Sequence, residues 1–155
     1  MSPRIATAEH PERDELISFL RGRSRCVLVT TRADGTPQLS PVSAGVDAAG
    51  RLVVSTYPER AKARNIRRTP SVSACVLSDD WNGPYVQVDG RAEVLDLPDA
   101  LEPLVEYYRS ISGEHPDWDD YRAAMVRQGK CLIRVEIQRW GPIATGGFPP
   151  RLAPA

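Results

Sequence analysis

The sequence predicts an α+β fold, an antiparallel sheet or barrel with helices at its periphery. Two observations carry this. About six runs rich in β-branched residues are joined mostly by short Gly-, Pro- and Asp-containing turns. Helical patterns fall only at the start, after the third strand and near the end, without the regular strand–helix alternation of a doubly wound sheet.

The elements follow in order. Residues 10–22, HPERDELISFLRG, place apolar groups at Leu16, Ile17, Phe19 and Leu20, with acids early and Gly22 last, as in a glycine-stopped helix. RCVLVTTR (25–32) is a strand, and Ala33-Asp34-Gly35 a hairpin-like turn. TPQLSPVSAGV (36–46) is extended, and Pro37 and Pro41 favour an edge or irregular strand. Asp47-Ala48-Ala49-Gly50 turns the chain into a third strand, RLVVST (51–56).

Thr56 followed by Glu59 has the spacing of a capping box, and Pro58 suits a first helical turn. A helix over 58–68, ended by Thr69-Pro70, is therefore expected. Strands follow at 71–78 and 84–96, the second with a bend or bulge at Asp89-Gly90, where the alternation of Val86, Val88, Ala92 and Val94 is interrupted. Residues 98–112 and 117–128 read as helices, the second stopped by Gly129, and KCLIRVEIQRW (130–140) is the last strand. Residues 1–9 and the Gly/Pro-rich 141–155 are expected to be irregular tails of a single domain spanning 1–155.

Composition narrows the function. Twenty Lys and Arg balance twenty Asp and Glu, which argues against a nucleic-acid partner bound through a broad basic surface. No apolar run reaches the ~18–20 residues of a membrane span, and the N-terminus has no apolar signal core. Cys26, Cys75 and Cys131 sit far apart in apolar runs, as buried reduced thiols do. The expectation is a cytoplasmic protein with neither membrane nor nucleic acid as partner. His115, Asp117, Asp119 and Asp120 read as the capped, acidic start of a helix and not as a metal site. Trp118, Tyr121 and Met125 read as core or dimer contacts.

One segment departs from this evenness. STYPERAKARNIRRTP (55–70) holds five of the twenty basic residues. At about 100° per residue, Arg60, Arg64, Arg67 and Arg68 share one stripe, and Lys62 falls beside Ile66 on the inward side. An ammonium near a buried face needs a partner, and a phosphate at a helix start would supply one. Arg60 and Lys62 are thus the candidate anion ligands, and Arg64, Arg67 and Arg68 a solvated stripe.

The strand–turn–strand–turn–strand order followed by STYPERAKARNIRRTPSVSACV resembles the split β-barrel flavin-binding superfamily of pyridoxamine 5′-phosphate oxidases. PQLSPV (37–42), RAKARNIRR (60–68), SDDWNGPYVQVDGRAEV (78–94) and YYRSISGEHPDWDDYRAAM (107–125) resemble its branch that uses the deazaflavin coenzyme F420. The resemblance spans residues 14–138, and it implies a six-stranded antiparallel split barrel. It also implies a homodimer with the cofactor in a groove between protomers. Gln38, Ser40 and the backbone to Val42 would line the ring, and Ser55 and Thr56 the ribityl–phosphate portion. Arg60, Ala61 and Lys62 would hold the phosphate, and Trp81 and Tyr85 would reach over from the partner subunit. Pro41 stands where the family often has a polar residue. Arg64 would meet the acidic tail by which F420 exceeds FMN.

The implied function is an F420-dependent oxidoreductase that transfers a hydride between F420 and a conjugated small molecule. An FMN-dependent oxidoreductase and a non-catalytic flavin or F420 carrier or sensor are the alternatives. Hydride transfer is the cofactor's chemistry. Tyr85, as a proton donor or a stacking group, is accordingly the one catalytic candidate.

Overall fold

The computed structural model describes residues 4–155. Its elements are β1 (Thr7–Glu9), α1 (Arg13–Leu20), β2 (Arg25–Thr31), β3 (Pro37–Val46), β4 (Leu52–Thr56), α2 (Ala61–Arg68), β5 (Ser71–Val76), β6 (Val86–Leu95), α3 (Leu101–Ser112), α4 (Trp118–Gln128), β7 (Cys131–Trp140) and β8 (Ile143–Thr145), with a 3₁₀ turn at Pro150–Leu152. Six of the strands close into an antiparallel barrel in the order β2-β3-β4-β7-β6-β5. This is the α+β split barrel that the sequence implied. No helix of the described residues is long and apolar enough to cross a membrane.

Alternation places one face of each strand in the barrel core, where Leu28, Val54, Val76, Val88 and Ile133 are buried together. α1 plugs this core with Leu16 and Leu20. A second cluster lies outside the barrel wall, where Val53 and Leu132 pack against Leu104, Val105, Tyr121 and Met125 of α3 and α4. That is why the ends of β4 and β7 are buried on both faces. The expected irregularity at Asp89-Gly90 is a register shift against β7. A Cβ at Gly90 would overlap the Glu136 carbonyl, so only glycine permits the approach.

Three expectations need correction. The tails are not wholly irregular: β1 pairs with β8, and the Thr7 and Thr145 hydroxyls meet at 2.9 Å. The Ile-Ala-Thr of β8 supplies a short paired strand inside a segment whose glycines and prolines otherwise suit loop. Residues 1–3 lie outside the described residues. The helix expected from Pro58 begins instead at Ala61, with Arg60 at its N-cap and no side-chain cap. Thr56 is held as the last residue of β4, opposite Cys131, so the barrel ladder takes the residue the capping box needed. Residues 57–60 form a turn closed by the Arg60 N–H on the Tyr57 carbonyl, 3.1 Å. Likewise α3 starts at Leu101, after a turn in which the Ala100 N–H reaches the Asp96 carbonyl at 2.9 Å.

One interruption of the barrel positions the site. β3 pairs with β2 along residues 37–43, but with β4 only over Ala44–Val46. Residues 37–43 thus have a neighbour on one side only, which accommodates Pro37 and Pro41. Where the two strands part, α3 inserts Tyr107, whose hydroxyl donates to the Ser43 carbonyl at 2.8 Å. The Ser55 backbone N–H lies near the same hydroxyl oxygen.

Candidate functional site

β3 and β4 part beyond the Ala44–Val54 pair, and α2 follows the end of β4 after a four-residue turn. Cross-strand partners share a face, so Gln38, Ser40 and Val42 point the same way as the buried Thr30, Leu28 and Cys26. All three are half-buried. Val42 packs on the barrel core, which leaves its backbone for the groove. The Ser40 hydroxyl is buried without a hydrogen-bond partner. A buried orphan of this kind costs about 1–3 kcal/mol unless something meets it.

At the end of β4, Ser55 is half-buried and Thr56 buried. α2 turns Ala63, Asn65 and Ile66 inward and exposes Ala61 and Arg64. Lys62 is half-buried beside this inward face, as its spacing implied, and has no carboxylate partner among the described residues. Burial, reinforced by the nearby Arg60, holds its ammonium below the usual lysine range. The candidate site residues thus include a cation without a carboxylate partner, Lys62, and a buried hydroxyl without a partner, Ser40, among the described residues.

The basic stripe is not uniform. Arg67 donates to both carboxylate oxygens of Asp96 at 2.7 Å. Arg68 donates to the Thr31 carbonyl at 3.1 Å and to Asn65 Oδ1 at 2.8 Å. Both side chains are exposed, as the expected solvated stripe requires, and both are also engaged by partners within the fold. Arg64 makes no ion pair or hydrogen bond among the described residues. Arg60 lies over the Tyr57 ring, its guanidinium 5.9 Å from the centroid.

Sequence reasoning missed Lys130, whose ammonium sits 4.1 Å from the centroid of that ring. Pairing of Thr56 with Cys131 brings the start of β7 beside the end of β4. Lys62 and Lys130, the chain's only lysines, thus flank one turn. Only the strand register could have revealed this, because the two lie 68 residues apart.

Trp81 and Tyr85 are not brought to this site within one chain. The segment carrying them leaves β5 at the N-terminal end of β2, where the Leu77 N–H bonds to the Arg25 carbonyl at 2.8 Å. α2 docks at the other end, through Asn65 to Thr30 and Arg68 to Thr31. The seven residues of β2 separate these ends by about 20 Å at ~3.3 Å per residue. Trp81 is 85% exposed and Tyr85 41%.

No nucleophile or acid–base pair emerges among the described residues. Burial pushes the Cys26 thiol up to about 12 and that of Cys131 up to about 11, so neither supplies a thiolate near neutral pH. Asp117 caps α4 by accepting the Asp120 N–H at 3.1 Å, and His115 Nδ1 accepts the Asp117 N–H at 2.9 Å. Tyr108, His115, Trp118 and Tyr121 pack edge-on or tilted between α3 and α4, with centroids 5.0–5.7 Å apart. The GEHPDWDDY motif is therefore a helix cap and an aromatic core.

Comparison with known proteins agrees with this architecture. A conserved hypothetical protein of Mycobacterium tuberculosis is 23% identical, with 88% of this chain and 87% of that chain covered at a TM-score of 0.72. A solved F420 reductase is 24% identical, covering 79% of this chain and 93% of its own at a TM-score of 0.61. The heme storage protein HutZ of Vibrio cholerae is 19% identical, covering 87% and 92% at 0.62. These likenesses show the fold, on which neighbours hold different ligands. The family model described as pyridoxamine 5′-phosphate oxidase matches residues 13–144. With that match over most of its length, the chain belongs to the pyridoxamine 5′-phosphate oxidase family of flavin-binding split barrels.

Proposed function

We propose that this protein is an F420-dependent oxidoreductase acting on a conjugated small molecule. The observation that carries the reading is the surplus of unpaired cations at the β4–α2 turn. Lys62 alone suffices for one phosphate. Arg60, Arg64 and Lys130 remain without carboxylate partners, and they suit a longer anion such as the phosphodiester and glutamate tail of F420. The F420 reductase among the structural neighbours is consistent with this.

In this reading Lys62 holds the phosphate, with Ser55 and Thr56 beside it. Arg60, Arg64 and Lys130 draw in the acidic tail. Gln38 and the orphaned Ser40 hydroxyl meet the polar edge of the ring. When bound, the deazaflavin accepts or delivers the hydride. The chain's own share is to orient the ring, shield it from water and neutralise the tail.

A second copy of the chain completes the site. The outer face of β2 and β5 leaves Val27, Val29 and Cys75 half-buried, with Leu39 on the neighbouring strand 58% exposed. A homodimer packed on this face brings the partner's Trp81 and Tyr85 over the groove, where Tyr85 stacks or gives a proton to the substrate. The groove and both reacting species lie on the cytoplasmic side, away from any membrane.

Parallel fluorescence titrations with F420 and FMN test the cofactor. Tight binding of F420 with weaker binding of FMN is expected, and FMN binding at micromolar levels without F420 binding overturns the assignment in favour of an FMN enzyme. Turnover of reduced F420 with conjugated acceptors separates an enzyme from a carrier.

A further inference from the structure

We infer that Arg68 is a positioning residue: through Asn65 and Thr30 it fixes the side-chain amide of Gln38 so that its NH₂ faces the groove as a donor. The inference rests on the groove's being a flavin or deazaflavin site.

The chain of contacts runs from α2 through β2 to β3. Arg68 meets Asn65 Oδ1 at 2.8 Å, Asn65 Nδ2 meets Thr30 Oγ1 at 3.0 Å, and Thr30 Oγ1 meets Gln38 Oε1 at 2.9 Å. Thr30 is 1% exposed and Asn65 6%. Thr30 and Gln38 are directly opposed in the β2–β3 register.

Chemistry gives this chain one direction. A guanidinium only donates, so the Asn65 atom facing Arg68 is its carbonyl oxygen. That choice turns the Asn65 NH₂ to Thr30, whose hydroxyl oxygen accepts. The hydroxyl hydrogen is then left in a buried setting, where an unmade bond is costly. Gln38 Oε1 is the acceptor it reaches. The Gln38 NH₂ is consequently turned away from Thr30, and no acceptor among the described residues takes its hydrogens. Without Arg68 both amides can flip together and present an oxygen to the groove. The arginine that looks most like surface charge in the sequence thus sets which hydrogen-bonding group the ring meets.

The test uses riboflavin, which is FMN without its phosphate, beside FMN and F420. Arg68→Met is expected to weaken all the ligands that bind by one common factor, about three- to tenfold for one hydrogen bond. Arg68→Lys, still a pure donor, should restore most of the affinity. In a Gln38→Leu background Arg68→Met should cost nothing further. A loss confined to the phosphate-bearing ligands makes Arg68 an anion contact and overturns the inference, as does an undiminished loss in the Gln38→Leu background. If the wild-type chain binds none of these ligands, the functional reading fails but the relay is still read in the free protein. There the side-chain amide resonances of Gln38 should shift in Arg68→Met and stay in place in Arg67→Met. Unmoved resonances in Arg68→Met overturn it.

Discussion

The Tyr107 hydroxyl donates to the Ser43 carbonyl at 2.8 Å, at the point where β3 and β4 stop pairing. It stands where the next rung of the ladder, between Ser43 and Ser55, would fall. The split in the barrel is thus held open by a side chain from α3 and not left as two loose strand edges. Tyr107→Phe removes this bond and should cost about 0.5–1.5 kcal/mol of stability, measured by chemical denaturation. In the proposed site Ser55 borders the phosphate end of the groove, so cofactor affinity should fall in the same variant. Affinity unchanged alongside lost stability would show that the aperture is set elsewhere.

The same helix pair gives a prediction for alkaline pH. Burial raises the pKa of Tyr107, and raises that of Tyr121 to about 12, where Tyr107 and Tyr108 add to the effect. The folded state therefore holds these phenolic protons more tightly than the unfolded chain, whose tyrosines titrate near the usual ~10. Their contribution is fully present below about pH 10 and is lost as pH climbs toward 12. Tyr121 donates to the Leu104 carbonyl at 2.9 Å, so ionisation also breaks a buried bond. Thermal melts from pH 9 to 12 should show wild type losing stability more steeply than Tyr121→Phe.

Lys62 is expected to trade stability for binding. Burial and Arg60 lower its folded pKa below the unfolded value, so the charged form is penalised in the free protein at neutral pH. The penalty disappears as pH rises from the folded pKa to the unfolded one, and stability from this group rises with it. Lys62→Met should therefore raise the melting temperature of the ligand-free protein at pH 7. It should also weaken phosphate-bearing cofactor about ten- to hundredfold, the range for a charge-assisted hydrogen bond. Riboflavin binding should change little. A lower melting temperature would mean that the ammonium already has a stabilising partner.

Most of the fold was legible because strand alternation and turn residues are local signals. Asp89-Gly90 showed its bulge from two residues, and Gly129 its helix stop from one. The errors have non-local causes. Thr56 reads as a cap until its pairing with Cys131 is known. Arg67 and Arg68 are exposed as their spacing implied, but Asp96 carries no local signal for Arg67, and both partners, Asp96 and Asn65, become visible only in the fold. Lys130 carries no signal at all, because its nearness to Tyr57 exists only through the β4–β7 register.

Those placements predict how the basic residues divide. In the proposed site Lys130, without a carboxylate partner among the described residues, meets the tail, whereas Arg67 is committed to Asp96, an exposed pair whose loss should cost at most about 1 kcal/mol. Lys130→Met should weaken F420 binding and leave FMN binding nearly intact. Arg67→Met should leave both intact. Isothermal titration at two salt concentrations checks this, because the Lys130 contribution to F420 binding should shrink as salt rises.

Whether Trp81 acts across a dimer can be decided by complementation. Within one chain the Trp81 segment lies at the opposite end of β2 from α2, and the ring is 85% exposed. Trp81→Ala should barely change the stability of the fold, since little surface is buried there, yet it should weaken cofactor binding. Mixing Trp81→Ala chains with Lys62→Met chains and allowing subunits to exchange sharpens the question. If Trp81 serves its partner's groove, each mixed dimer has one groove with both native residues and one with neither. High-affinity sites then appear in the mixture although both parents lack them, at one per mixed dimer. If Trp81 serves its own chain's groove, every site in the mixture is damaged and no high-affinity binding returns. The geometry of β2 favours the first outcome, because a single chain has no route by which an indole at one end of that strand could reach an ammonium at the other.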